Sequence, residues 1–106
     1  MLKARRTLAA ERDLEEIVFH IAMEEERPIV AERVLREIIQ RCDRIAELAH
    51  VAREGTAAPR LGDSVRLLSH KRWVIIFRYD AEGVVVLRIA DGSHCLLYTS
   101  PSPRDS

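Results

Sequence analysis

Residues 64–92 read SVRLLSHKRWVIIFRYDAEGVVVLRIADG, and this stretch decides the fold. Three runs in it, SVRLLSH, RWVIIFRY and GVVVLRIA, are rich in β-branched and aromatic residues and suit half-buried strands. The first two runs turn through HK and the last two through DAEG, both short enough for hairpins. Gly83 fits a left-handed turn position that other residues avoid. The stretch predicts three sequential antiparallel strands.

Working outward, the chain before this meander is helical. Thr7 suits a helix N-cap, with Glu11 and Asp13 in the early turns where carboxylates complement the dipole. Leu14, Ile17, Val18 and Ile21 follow the i, i+3, i+4, i+7 rule, while Arg12, Glu15, Glu16 and His20 occupy the other faces. Glu24, Glu25 and Glu26 crowd an end that the dipole disfavours. With Pro28 they mark a break, and Pro28 opens a second helix in its first turn.

Along that second helix Val30, Val34, Ile38, Cys42, Ile45 and Ala49 form a stripe, widened by Leu35 and Leu48. Glu32–Arg36 and Glu37–Arg41 are spaced as i, i+4 ion pairs. Leu2 to Arg6 alternates like a short strand, and VAREGTAAPRLGD is a connector punctuated by Gly55, Pro59 and Gly62. The expected architecture is α+β, in the order β-α-α-β-β-β. An αα-hairpin packs on one face of an antiparallel sheet, because each helix shows one apolar stripe that needs cover. The pattern leaves open which sheet edge receives the first strand.

A chain of 106 residues is one small domain. Lys plus Arg and Asp plus Glu balance at 17 each, so no global field draws the chain to DNA or membrane. No apolar run reaches the roughly 20 residues of a membrane span, and charged positions near the N-terminus interrupt the apolar stretch a signal peptide needs, so a cytoplasmic location is expected. Two cysteines without CxxC spacing give no metal signal; Cys42 reads as a core residue.

Residues 9–22 (AAERDLEEIVFHIA), 30–39 (VAERVLREII) and the meander itself resemble the toxins of the RelE/ParE superfamily from bacterial type II toxin–antitoxin systems. The resemblance covers residues 1–94 and rests on the ordered set of segments rather than on one sharp motif. It implies a cognate antitoxin, ParD-like or other, with a segment that wraps the toxin. No small-molecule cofactor follows from it. Members usually continue past the equivalent of RIADG with a basic ending, which is absent here. Instead residues 95–105, CLLYTSPSPRD, resemble a translated sequencing adapter, so residues 95–106 read as a non-native tail after a truncated toxin domain. Cys95 and Tyr98 then carry no functional weight.

Within the superfamily, ParE-like members trap the cleaved-DNA complex of DNA gyrase, whereas RelE-like members cut messenger RNA on the ribosome. The ParE-like branch is favoured, because Val74 stands where the nuclease branch often carries an arginine. A non-toxic, antitoxin-binding protein is a third reading. Arg66, His70, Lys71, Arg72, Arg78 and Arg88 either solvate the sheet or form a target-binding surface on the face the helices leave open. His70 is in addition a candidate acid/base group. The groove between Leu14, Ile17, Ile21 and the second helix is one expected antitoxin dock, and an open sheet edge is the other. Trp73 reads as core, and His20 and His50 as surface residues.

Overall fold

The computed structural model describes residues 3–92. The N-terminal strand β1 is Arg5–Arg6, followed by helix α1 (Leu8–Phe19), which ends in a π-helical turn at His20–Glu24. Helix α2 runs Pro28–Glu47, a two-residue strand β2 spans Thr56–Ala57, and a 3₁₀ turn covers Pro59–Leu61. Strands β3 (Val65–His70), β4 (Trp73–Asp80) and β5 (Gly83–Asp91) complete the described residues. The meander forms as expected, as do the αα-hairpin and the α+β class.

The sheet order is β1-β5-β4-β3-β2. Every pair is antiparallel except β1–β5, which is parallel, with Arg5 opposite Val85 and Arg6 opposite Val86. The first strand is thus shorter than residues 2–6, and it seats on the edge of β5. The strand β2 was hidden inside the connector, where two exposed residues leave no alternation to read.

Thr7 explains how helix and sheet are joined. Its side-chain oxygen caps α1 by accepting the Ala10 N–H at 3.1 Å and donates to the Leu87 carbonyl at 2.8 Å. Its own N–H donates to the Val86 carbonyl at 3.0 Å. One residue therefore satisfies a helix donor and two edge carbonyls of β5. At the same place the β4–β5 register slips, since Ile76 faces Arg88 while Phe77 faces Val86, leaving Leu87 as an extra residue. Such a bulge re-aims the residues beside it.

The main core lies between the helices and one sheet face. Ala10, Leu14 and Ile17 from α1 and Ile21 from the π-helical turn join Ile38, Cys42 and Ile45 from α2 over Ile75, Phe77, Val84 and Val86. Trp73 is buried here too, as expected, and the Phe77 and Tyr79 rings meet edge-to-face at 5.6 Å. Burial pushes the Cys42 thiol up to about 12, so it is a packing residue and a poor nucleophile.

The second face is not bare. Ala58, Val65, Val74 and Ile76 form a smaller buried cluster there, with Leu61, Leu67 and Leu87 packed against it. The β2 segment and its 3₁₀ turn fold back over part of that face.

Candidate functional site

Pairing registers decide where each basic residue points, because residues opposite one another in an antiparallel pair share a face. Arg66 faces Phe77 and His70 faces Trp73, both on the helix-covered side. Arg78 faces Val65 and Val85 on the opposite side, where it is exposed. Arg88 lies opposite Ile76 on that face but its side chain reaches to Asp13, so Arg78 is the one of the six that stands clear there. The expected common guanidinium surface does not form, because apolar side chains occupy the middle of that face.

The other five are engaged in holding the fold. Arg66 donates from Nε to the Glu54 carbonyl at 2.6 Å and from Nη2 to the Gly55 carbonyl at 2.9 Å, anchoring the connector. Lys71, in the β3–β4 turn with a φ of 59°, pairs with Glu37 of α2 at 2.9 Å. Arg41 of α2 reaches Glu54. Glu37 and Arg41 thus bond the sheet and the connector rather than each other. Arg72 lies over the Trp73 ring at 4.5 Å and pairs with Asp91 at 2.8 Å.

Arg88 reaches to α1, where its Nε and Nη2 donate to the Asp13 carboxylate at 2.8 and 3.0 Å. That carboxylate also accepts the Ile89 N–H at 2.9 Å. Asp13 is the buried charged residue among those described, and it reads from sequence only as a dipole-friendly early-turn acid. Its partner lies 75 positions away, so no local signal marks the pair.

His70 does not suit acid/base work. Its Nε2 is buried and has no hydrogen-bond partner among the described residues. Burial, then the Lys71 ammonium, holds the imidazole below its ordinary value, with Glu37 acting in the opposite direction and Arg41 adding to the depression. His20 and His50 are exposed as expected, and His20 sits between Glu24 and Glu25.

On the helix side, Leu14, Ile17 and Ile21 are buried in the main core and present little surface to a partner. The accessible groove keeps Leu14 in its lining but otherwise lies one stripe over. Val18, Phe19, Ala22 and Met23 of the α1 segment face Leu35 and Ile39 of α2, rimmed by Glu11 and Glu15. Phe19 and Met23 are about 60% exposed, at 60 and 62%. Large apolar side chains so exposed and contiguous mark a contact surface. Their signal was a second i, i+4 series beside the core stripe: Val18–Ala22 and Phe19–Met23.

No group of His, Cys, Asp and Glu able to hold a metal is present among the described residues. Nor is any described helix long and apolar enough to cross a membrane.

The sequence profile described as the ParE toxin of the type II toxin–antitoxin system parDE matches residues 5–94. Among solved structures, the chromosomal ParDE TA system from P. aeruginosa is similar, with a TM-score of 0.65 and 25% identity over 86% of this chain and 96% of that one. No curated protein matches significantly. The residue 95–106 tail lies outside the described residues, and the family match stops at residue 94. Spanning both helices and the whole meander, that match makes the chain a member of the ParE toxin family of type II toxin–antitoxin systems.

Proposed function

We propose that this chain is a toxin that inhibits DNA gyrase and is neutralised by a cognate antitoxin. The family match over residues 5–94 carries the reading. Two local features support the gyrase branch over ribosome-dependent messenger RNA cleavage. The candidate base His70 has its Nε2 buried, which withholds that atom from a substrate 2′-OH. Val74 is itself buried in the apolar cluster, where a catalytic cation would otherwise stand.

Contact with the target falls to Arg78, with Lys71 and Arg72 at the β3–β4 turn as further exposed cations. Arg66, His70 and Arg88 act by shaping the sheet. The antitoxin occupies the Phe19–Met23 groove with an amphipathic helix, whose apolar side chains cover the exposed stripe and whose basic residues meet Glu11 and Glu15.

Induced expression in bacterial cells tests the branch. The gyrase reading expects DNA-damage signalling and chromosome breaks with intact transcripts. Codon-positioned cuts in translated messages with intact DNA favour the nuclease. Normal growth with retained antitoxin binding favours a non-toxic binding protein.

A further inference from the structure

Helix α1 has an outer side that neither the sheet nor α2 covers. Leu8, Arg12, Glu15 and Phe19 are spaced i, i+4, i+7, i+11 along it, so they form one stripe. All four are exposed, Leu8 at 66% and Phe19 at 60%. From end to end the stripe runs about 16 Å, given the helical rise per residue.

Arg12 and Glu15 lie three residues apart on one helix, within reach of each other. Yet neither side chain has a partner among the described residues. Their neighbours Glu11 and Asp13, by contrast, bond Arg6 and Arg88. The stripe therefore presents an unpaired cation and an unpaired anion between two large apolar side chains.

That order (apolar, positive, negative, apolar) is its own complement when reversed. Two copies of α1 laid antiparallel, with the two-fold axis level with the Asp13–Leu14 step, bring Arg12 of each copy opposite Glu15 of the other. Leu8 of each then meets Phe19 of the other. A parallel alignment instead opposes arginine to arginine and glutamate to glutamate, which repulsion penalises. Phe19 also stands as a ridge between two hollows, one lined by Arg12 and His20, the other by Val18 and Ile39. Such ridges seat in the grooves of a facing helix.

We infer that the outer stripe of α1 is a self-association surface whose occupant is a second copy of this chain, packed antiparallel. Two Arg12–Glu15 ion pairs lie at its centre and a Leu8–Phe19 contact at either end. A contact one helix wide is smaller than a standard interface, so the dimer is weak and fills only at high toxin concentration. Phe19 belongs as well to the groove assigned to the antitoxin, so dimer and antitoxin complex exclude one another. The exclusion rests on the antitoxin reading; the self-association does not.

Sedimentation equilibrium of the full chain between about 1 and 500 μM reads the association. Wild-type protein is expected to rise in mass from one chain toward two. Arg12→Glu and Glu15→Arg are each expected to weaken association at least tenfold, since either reversal opposes like charges twice across the axis. Both reversals in one chain are expected to restore it to within threefold of wild type. An equal mixture of the two single variants is expected to form a heterodimer, because both ion pairs return. Antitoxin affinity for wild type is expected to fall as toxin concentration rises, and affinity for Arg12→Glu to hold constant.

Wild-type protein that keeps the mass of one chain throughout overturns the inference, and that measurement needs no variant. Association left unchanged by the single reversals overturns it too, as does association that neither the double reversal nor the mixture recovers. An antitoxin that binds neither wild type nor Arg12→Glu overturns the antitoxin reading and the exclusion, and leaves the self-association standing.

Discussion

The Arg88 guanidinium grips the Asp13 carboxylate with two hydrogen bonds, at 2.8 and 3.0 Å, and so bolts α1 to the bulged end of β5. Asp13 also accepts the Ile89 N–H, so one carboxylate holds strand β5 as well as a helix. Asp13→Ala leaves a guanidinium and a backbone donor without this partner. The expected cost is about 2–3 kcal/mol, below that of a fully buried pair because Arg88 is half exposed. Denaturant unfolding measures it, and a double-mutant cycle with Arg88→Met isolates the pair. A loss under about 0.5 kcal/mol shows that the bolt is ornamental.

His70 makes stability depend on pH. Its folded-state value lies below the ordinary 6.5, chiefly through burial and then through Lys71. The unfolded chain therefore binds the proton more readily than the folded one. The contribution is complete above the ordinary value and is lost as pH falls through it toward the depressed folded value. Stability is expected to decline between pH 7 and 5, and His70→Gln to flatten that slope. An unchanged slope in the variant contradicts the buried orientation of the ring.

The groove and the core predict opposite signatures for neighbouring positions on α1. Phe19→Asp and Met23→Asp change exposed side chains, so stability stays within about 0.5 kcal/mol while antitoxin affinity drops at least tenfold. Leu14→Ala and Ile17→Ala excavate the core and cost about 2–4 kcal/mol. Calorimetric titration beside thermal unfolding separates the two classes. Equal antitoxin affinity for Phe19→Asp and wild type removes the groove from the interface.

Cys42 is packed among Ile38 and Ile45 with its thiol pushed up to about 12. Alkylation of this thiol by iodoacetamide at pH 8 is expected to wait for unfolding, rising with denaturant along the unfolding curve. Rapid modification of Cys42 in native protein, located by peptide mapping, contradicts the packing.

The layered architecture was legible because its signals are periodic. The meander and both helices follow from residue spacing within windows of a few turns. What sequence could not supply was the partner of each polar group. Glu37 and Arg41 are spaced as a helical pair yet bond Lys71 and Glu54, since contacts with the sheet and connector override a weak surface attraction. The facing of Arg66 and His70 depends on hairpin register, and one residue of slip reverses every side chain. Phe19 and Met23 were visible as apolar residues, but a second stripe beside the core stripe does not announce which of the two is buried.

The most direct measurement of the gyrase assignment uses purified gyrase, ATP and supercoiled plasmid, with the intact toxin added. The account predicts accumulation of linear, gyrase-linked DNA, suppression by the antitoxin, and at least a tenfold loss of potency in Arg78→Glu with antitoxin binding retained. Plasmid processed as though no toxin were present, alongside cleavage of messages on translating ribosomes, would contradict it.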